Sequence, residues 1–339
     1  MADTETIPVA DLERLVADVF VRRGMTPADA CDVADVLVWA EASDHRSHGI
    51  SRIERYLDFI ARGDLDPAAT PCLDKDAGAL FRIDGKRAAG AVAMREAVSL
   101  ASARAKLHGI AIGLVARTTH IGSAGCHALR LAGSDRIAIV AAGGVPLMAY
   151  HGAATPSLPT APLAIAVPAA GRPPLLLDMA SSHVAMGKVK QAIRQGRSIP
   201  EGWALTADGR PATDPNEATA LLPLGGAKGS GLALMIECLT GVLAGAPALL
   251  GQLGSGRSAH TQNAMVIAIE IGSICALDTF RTEVSDLARS LEALPKADGV
   301  AEILMPGARS ARARAAARDR GITVKSATLA DLKRLGAVD

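Results

Sequence analysis

Aromatic residues are scarce in this chain of 339 residues, which has two Trp, two Tyr and four Phe. There is little from which to build a stacking platform for nucleic-acid bases, and a formal net charge of +1 offers no basic footprint for a polyanion. No nucleic-acid partner is expected. Long hydrophobic runs are also lacking. The stretch "LALMIECLTGVLAGA" (232–246) is interrupted by Glu237 and Gly241 and falls short of the ~20 apolar residues that span a bilayer, so no membrane segment is expected. The opening "MADTETIPVADLERL" has neither the basic start nor the apolar centre of a secretion signal, which points to a cytoplasmic location. The five cysteines, at 31, 72, 126, 238 and 275, include no CxxC pair and no metal-like spacing, so neither a disulfide framework nor a metal site is expected. Cys31, Cys238 and Cys275 fall among Ala, Val and Leu and read as buried thiols. There is no internal repeat and no low-complexity tract.

What is present is a globular balance, 49% hydrophobic and 21% charged, over a length that suggests roughly two domains. Residues 10–42 read as helical, with Leu12, Leu15, Val16, Val19 and Phe20 at helical spacing, Thr26-Pro27 as a start signal, and Val33, Val36, Leu37 and Ala40 on a second helix. A third helix beginning near Ser47 would carry Ile53, Leu57 and Ile60 as its apolar stripe and end at Gly63. After a turn-rich stretch, "PAATPCLDKDAG", that reads as a linker, β runs alternate with helices. The runs are "ALFRIDG", "IAIGLVA", "RIAIVAA", "LAIAVPA", "PLLLDMA" and "AMVIAIEI", and the helical patterns cover 89–107, 184–194 and 231–243. The tail, "ARSARARAAARDRG" and "TLADLKRLG", reads as one or two helices that return to the N-terminal helical unit. The expected class is therefore α/β (α+β), a mixed sheet covered by helices. The division is a helical unit over 1–74, rejoined by 308–339, and a mixed α/β unit over 75–307.

Five segments carry the chemistry. In "SHGISRIERYL", a helix starting near Ser47 would put His48 and Arg52 four apart on one face, with Tyr56 extending it. A guanidinium can grip a carboxylate through two parallel bonds, and a neighbouring imidazole can exchange a proton at neutral pH. Sequence pattern alone favours the simpler reading, in which Ser47 is an ordinary N-cap and His48, Arg52, Arg55 and Arg62 lie on a solvated helix face. In "THIGSAG", His120 stands where a strand gives way to a turn and a helix, a usual ligand-binding place. The amides after Gly122 and Ser123 could hold a phosphate. A plain turn histidine is the competing reading, and His127 reads as structural. In "LLLDMASSHVAMGKV", Asp178 at a strand end could accept from ribose hydroxyls or only cap the next turn, and Lys188 could polarise a carbonyl. In "LPLGGAKGSGLALMIE", glycines bracket Lys228 before a helix without forming a Walker loop. The arginines at 309, 312, 314, 318 and 320 suit either an extra phosphate, as in NADP, or a solvated face. "GSGRSA" (254–259) spells a loose dinucleotide fingerprint but follows no β run, so it is rejected as a Rossmann site.

Taken in order, "SHGISRIERYL", "THIGSAG", "PLAIAVP", "LLLDMASS", "GKVKQAIRQGRSIPEGWALTADGRPATDP" and "LPLGGAKGSGLALMIE" resemble the malate/L-lactate dehydrogenase family of the second type. This non-Rossmann, nicotinamide-dependent group also includes sulfolactate, ureidoglycolate and diketogulonate enzymes and the piperideine or pyrroline carboxylate reductases. The resemblance implies a helical domain made from both chain ends, a mixed α/β domain binding NAD or NADP, and a homodimer. It also implies a 2-hydroxyacid dehydrogenase or oxo-acid reductase working by hydride transfer on a small carboxylate substrate.

By residue, the resemblance implies that Arg52 clamps the substrate carboxylate, that Ser47 and His48 serve proton transfer, and that His120 is the acid/base, ranked above His48. It places Thr160 beside substrate or cofactor. It assigns His120, Ile121, Gly122, Ser123, Ala124, Asp178, Met179, Ala180, Lys228, Gly229, Pro306, Gly307, Arg309 and Arg312 to the cofactor. Imine-reducing relatives tend to carry aspartate where this chain has Lys188, which favours a 2-oxo or 2-hydroxy acid. The alternatives are a cyclic imine reductase and a catalytically silent nucleotide-binding protein. Two departures stand out: Pro159-Thr160-Ala161-Pro162 replaces the common Gly-Thr-Asn-Pro, and Arg117 or Thr118 replaces an asparagine ahead of the histidine motif.

Overall fold

The computed structural model describes residues 3–253 and 261–336. The "GSGRSA" stretch lies outside the described residues. A seven-stranded mixed sheet runs in the order Cys72–Ala77, Leu80–Asp84, Ile110–Thr118, Gln262–Glu270, Arg136–Ala142, Leu163–Val167 and Leu175–Met179. Only Leu80–Asp84 and Ile110–Thr118 pair in parallel, and the helix Gly90–His108 makes the crossover between them. The remaining neighbours are antiparallel. Helices cover this sheet, giving the mixed α/β class.

The shortage of aromatics shapes the packing. Ala93, Ala97, Ala101 and Ala105 recur every fourth residue along Gly90–His108, all buried, so the helix lies close on a sheet whose central positions include Ala111, Ala138, Ala264 and Ala268. At Gly113 a Cβ would come within 2.4 Å of the Phe81 ring, so glycine is what lets that ring cross the strand.

Both chain ends share one core. Leu12, Val16 and Phe20 of Val9–Val21, Val33 and Leu37 of Pro27–Ala42, and Phe59 of Ile53–Arg62 pack with Ile322, Val324, Leu329 and Leu332. The strand Thr4–Ile7 pairs antiparallel with Ile322–Lys325. A small four-stranded sheet orders Ala204–Leu205, Ala220–Leu221, Met148–Ala149 and Pro156–Leu158.

Three expectations need correction. The stretch read as a linker contains the edge strand Cys72–Ala77, whose charged residues mimic a turn but suit an exposed edge; Arg82 anchors it to Asp74 at 3.0 and 2.6 Å. Cys31, Cys238 and Cys275 are exposed, and only Cys126 is buried, because apolar neighbours in sequence do not decide which side of a helix a residue takes. The helix Leu277–Glu292 lies outside the expected set. No helix among the described residues is long and apolar enough to cross a membrane.

Candidate active site

The segment carrying Ser47, His48 and Arg52 is not the α-helix its spacing predicts. It forms two 3-10 turns, Arg46–His48 and Ile50–Arg52, and the α-helix Ile53–Arg62 begins only afterwards. Gly49 causes the break with an extended backbone (φ −87°, ψ −150°), and the Glu41 carboxylate accepts from the Ile50 N–H at 3.2 Å. A Cβ on residue 49 would lie 2.1 Å from Glu41 Oε2, so a larger residue would displace the carboxylate that holds the Ile50 N–H. The three side chains are nevertheless brought together. Arg52 Nε donates to the Ser47 carbonyl, and Ser47 Oγ lies 3.0 Å from His48 Nδ1. The buried face of the helix is Ile53, Tyr56 and Phe59, whereas Leu57 and Ile60 are half-buried. The apolar stripe is thus rotated from the one expected.

Tyr56, which sequence pattern marked only as extending a face, points inward to His120. Its hydroxyl is 2.8 Å from His120 Nδ1 and 3.2 Å from the His120 carbonyl oxygen. The Gly122 N–H donates to the same Nδ1 at 3.2 Å. The His48 and His120 rings stack with centroids 5.6 Å apart and planes 25° apart. Gly90 lets the helix Gly90–His108 start directly against the histidine backbone, since a Cβ there would sit 2.4 Å from the His120 oxygen. Below the loop, the Ile121 N–H donates to Gln262 Oε1 at 2.9 Å, and the buried His127 places Nε2 2.8 Å from the Ile121 carbonyl. No local signal marks Gln262; its role arises from a buried amide across the sheet.

Burial dominates the electrostatics. It pushes His48 down to about 3, with Arg52 and His45 adding to the effect, so this imidazole is neutral at ordinary pH. Burial raises Tyr56, so its hydroxyl keeps its proton. Burial lowers Lys190, as do the neighbouring charges of Arg55, Arg52 and Arg194. A cluster of cations therefore gathers where the helix Met186–Gln195 approaches Arg52. Among the described residues, none of Arg52, Arg55, Lys190 or Arg194 forms an ion pair. Lys188 stands exposed in the first turn of the same helix, next to Gly187, whose backbone abuts Ser47.

The segments expected at the cofactor line the strand Leu175–Met179 and the residues after it, Pro306 and Gly307 at its entry beside Leu176, and Ser123, Thr160 and Gly229 at its exit over 178–181. Asp178 Oδ2 accepts from Ser123 Oγ at 2.6 Å and from the Gly125 N–H at 3.1 Å, so the aspartate caps the helix Ala124–Ala132 rather than its own turn. The expectation that amides after Gly122 hold a phosphate narrows accordingly, because the Gly122 N–H is given to His120 and the Gly125 N–H to Asp178. Thr160 offers its carbonyl to both the N–H and Oγ of Ser181, each at 2.8 Å. Gly229 packs against the Ser181 carbonyl, and Lys228 lies in the first turn of Ala227–Glu237, entered through Gly225 and Gly226 at φ 60° and 62°. The Leu176 N–H donates to the Pro306 carbonyl at 3.1 Å, and Gly307 (φ 81°) sits against Leu176 at the start of Ala308–Arg320.

The arginines at 309–320 do not form one patch. Arg312 is held by two bonds to Glu302, at 2.6 and 2.8 Å. Arg314 lies over the Trp39 ring and donates to Ser43 Oγ, while Arg309 is exposed in the first turn. Helical period separates 312 from 314 by about 200°. Arg117 turns its guanidinium to Asp84, and Asn263 Oδ1 accepts the Arg117 N–H at 2.9 Å, so the amide beside this position comes from a distant strand.

Over residues 7–333 the chain matches the family model described as malate/L-lactate dehydrogenase. It is 32% identical to a Delta(1)-pyrroline-2-carboxylate/Delta(1)-piperideine-2-carboxylate reductase of Pseudomonas putida, over 97% of this chain and 96% of that protein. It is 33% identical to an L-sulfolactate dehydrogenase of Methanocaldococcus jannaschii, over 87% of this chain and 86% of that one. In three dimensions it is similar to malate dehydrogenase from Entamoeba histolytica, with a TM-score of 0.91, 25% identity, and coverage of 98% and 97% of the two chains. The converged turns, histidines and glycine-entered helices thus sit on a shared scaffold, and the chain belongs to the malate/L-lactate dehydrogenase family.

Proposed function

We propose that the protein is an NAD- or NADP-dependent oxidoreductase interconverting a 2-oxo acid and a 2-hydroxy acid. The observation that carries this reading is the meeting of Arg52, His48 and His120 across 3-10 turns and a strand end far apart in sequence. Arg52 spends Nε on the Ser47 carbonyl, which fixes the guanidinium plane and turns its two terminal nitrogens into a fork for the substrate carboxylate. The unpaired cations Arg55 and Lys190 beside it favour a substrate with a second acidic group.

The residues along this strand and at its exit suit a dinucleotide. The helices starting at Ala227 and Ala308 are both entered through left-handed glycines, and both lie against 176–181, with Lys228 and Arg309 in their first turns to meet phosphate. Met179 and Ala180 complete this exit, Ile121, Ser123 and Ala124 line the turn opposite, and Asp178 holds the two together. When bound, the nicotinamide cofactor supplies or takes up hydride at the substrate C2. His120 Nε2 gives a proton to the developing alkoxide in reduction and takes the hydroxyl proton in oxidation. His48, neutral and stacked on His120, orients rather than protonates, with Ser47 fixing its ring. We assign Thr160, whose carbonyl holds Ser181, and Lys188, which follows the Gly187 packed on Ser47, to the same site.

The proposal extends to a homodimer in a cytoplasmic, reducing setting. Leu232, Met235, Leu239, Val242 and Leu243 recur at helical spacing along 232–243 and are all exposed, an apolar face that a second copy would cover.

Turnover of oxaloacetate, pyruvate, sulfopyruvate and cyclic imines with NADH and with NADPH tests the reading. Turnover of oxo acids is expected. Turnover confined to imines would transfer the proposal to imine reduction, and tight cofactor binding with no turnover would support a silent nucleotide-binding protein.

A further inference from the structure

Where the strand Ile110–Thr118 ends, its ladder with Gln262–Glu270 is interrupted. Thr118 lies opposite Gln262 and Val115 opposite Ala264, so the first strand carries one residue more between these pairs and bulges there, with Arg117 left-handed at φ 55°. Two side-chain amides take over from the ladder. Asn263 Oδ1 accepts the Arg117 N–H at 2.9 Å, and its Nδ2 donates to the Ala246 carbonyl at 2.6 Å. Gln262 is buried and reaches past the strand end: its Oε1 accepts the Ile121 N–H at 2.9 Å, and its Nε2 donates to the Gly143 carbonyl at 2.7 Å. This amide can face only one way, because turning it over would set two donors together at Ile121 and two acceptors together at Gly143.

We propose that Gln262 is a positioning residue for His120. The peptide unit joining His120 to Ile121 is met on both edges, its N–H by Gln262 and its carbonyl by the Tyr56 hydroxyl at 3.2 Å. The next carbonyl, that of Ile121, lies 2.8 Å from His127 Nε2. Gln262 ties this unit to Gly143, just past the end of Arg136–Ala142, and the Gly143 N–H in turn donates to the Asn263 carbonyl at 3.0 Å. The histidine backbone is thereby fixed to the sheet, and the ring that hangs from it keeps its place against the substrate C2. A misplacement of about 1 Å can cost about 10²-fold in rate, so a residue one hydrogen bond removed from the histidine backbone governs turnover. The titratable or charged groups around the amide are Glu237, whose carboxylate packs against Gly143; His127; His120; and Arg117, turned to Asp84.

The inference rests on His120 being the acid/base, and the test keeps the two claims apart. Turnover is expressed per cofactor-binding site, counted by titration, so that unfolded protein drops out. Gln262→Met fills the space without either bond; its kcat should fall about 10- to 100-fold while KM for the acid substrate changes by less than about threefold. Gln262→Glu keeps the shape and adds a proton switch. Its protonated carboxyl can accept from Ile121 and donate to Gly143 as the amide does, whereas its ionised form sets an acceptor against the Gly143 carbonyl. Burial raises the introduced carboxyl above the usual carboxylate range, so the ratio of variant to wild-type kcat should be near one at about pH 5.5 and fall about tenfold or more by about pH 8.5. A Gln262→Met enzyme with the wild-type kcat, or a Gln262→Glu ratio as low at the acid end as at the alkaline end, would overturn the inference. A His120→Gln enzyme that still turns over would instead overturn the acid/base reading, whatever the Gln262 variants do.

Discussion

Gly187 and Ser47 touch so closely that a Cβ on the glycine would come within 2.4 Å of the serine Cβ. This contact seats the start of Met186–Gln195 on the turn that holds His48 and Arg52, and the same helix carries Lys190 toward Arg52. Gly187→Ala must push the two apart. The expected outcome is a rise in KM for the acid substrate of about tenfold with the cofactor Kd unchanged, since a displacement of the order of an ångström is costly to catalysis. Steady-state kinetics together with cofactor titration checks this.

Arg52→Ala should raise KM for any carboxylate substrate by about 10- to 100-fold, the loss of a charge-assisted fork worth about 1.5–3 kcal/mol. Lys190→Ala should instead narrow the preference for oxaloacetate over pyruvate, because it removes a charge that only a second acidic group meets. Comparing kcat/KM for the two acids in both variants decides it; equal losses on pyruvate and oxaloacetate in Lys190→Ala would contradict the second-acid reading.

His120→Gln should lower kcat by about 10²- to 10⁴-fold, the usual contribution of a positioned acid/base. His48, held down to about 3, contributes no titration between pH 5 and 8, so the pH profile of His48→Gln should keep the wild-type midpoint at a reduced height. If the midpoint vanishes in His48→Gln and survives in His120→Gln, the assignment of the acid is reversed.

Acid should unfold the protein by charging its buried imidazoles. His48 and His127 are both held to about 3 by burial, against about 6.5 in an unfolded chain. The unfolded state therefore binds more protons between those values, and stability is full above about pH 6.5 and falls as the pH drops toward 3. Tm measured from pH 7.5 to 4 should decline, and the decline should be shallower in His127→Gln, where an amide can still donate to the Ile121 carbonyl.

Leu239→Glu places a charge in the middle of the exposed apolar face at 232–243 and should convert a dimer to a monomer in light scattering. A wild-type protein that is monomeric at micromolar concentration would remove this face from consideration.

Much of the fold is legible from pattern. The strands Ile110–Thr118, Arg136–Ala142, Leu163–Val167 and Gln262–Glu270 are runs of Ile, Val and Ala, and the Ala repeat at 93, 97, 101 and 105 marks a helix lying close on a sheet. The edge strand Cys72–Ala77 is not legible, because an edge needs no apolar face. Neither is the helical face at 53, 56 and 59, because the two 3-10 turns before it shift the phase that a continuous helix from Ser47 would have set.

The sequence by itself determined the family, through the ordered motifs in which Arg52, His48 and His120 stand. It also determined the class of fold, since periodicity is a local property of the chain. Tertiary structure alone decided the partners: Tyr56 and the Gly122 amide on one ring nitrogen, Asp178 on a helix from another part of the sheet, Gln262 under the histidine loop, and Arg312 bound to Glu302 rather than offered to a phosphate. Hydrogen bonds between groups as far as 141 residues apart depend on distances that only packing sets, and burial, which governs His48, is a property of the whole molecule.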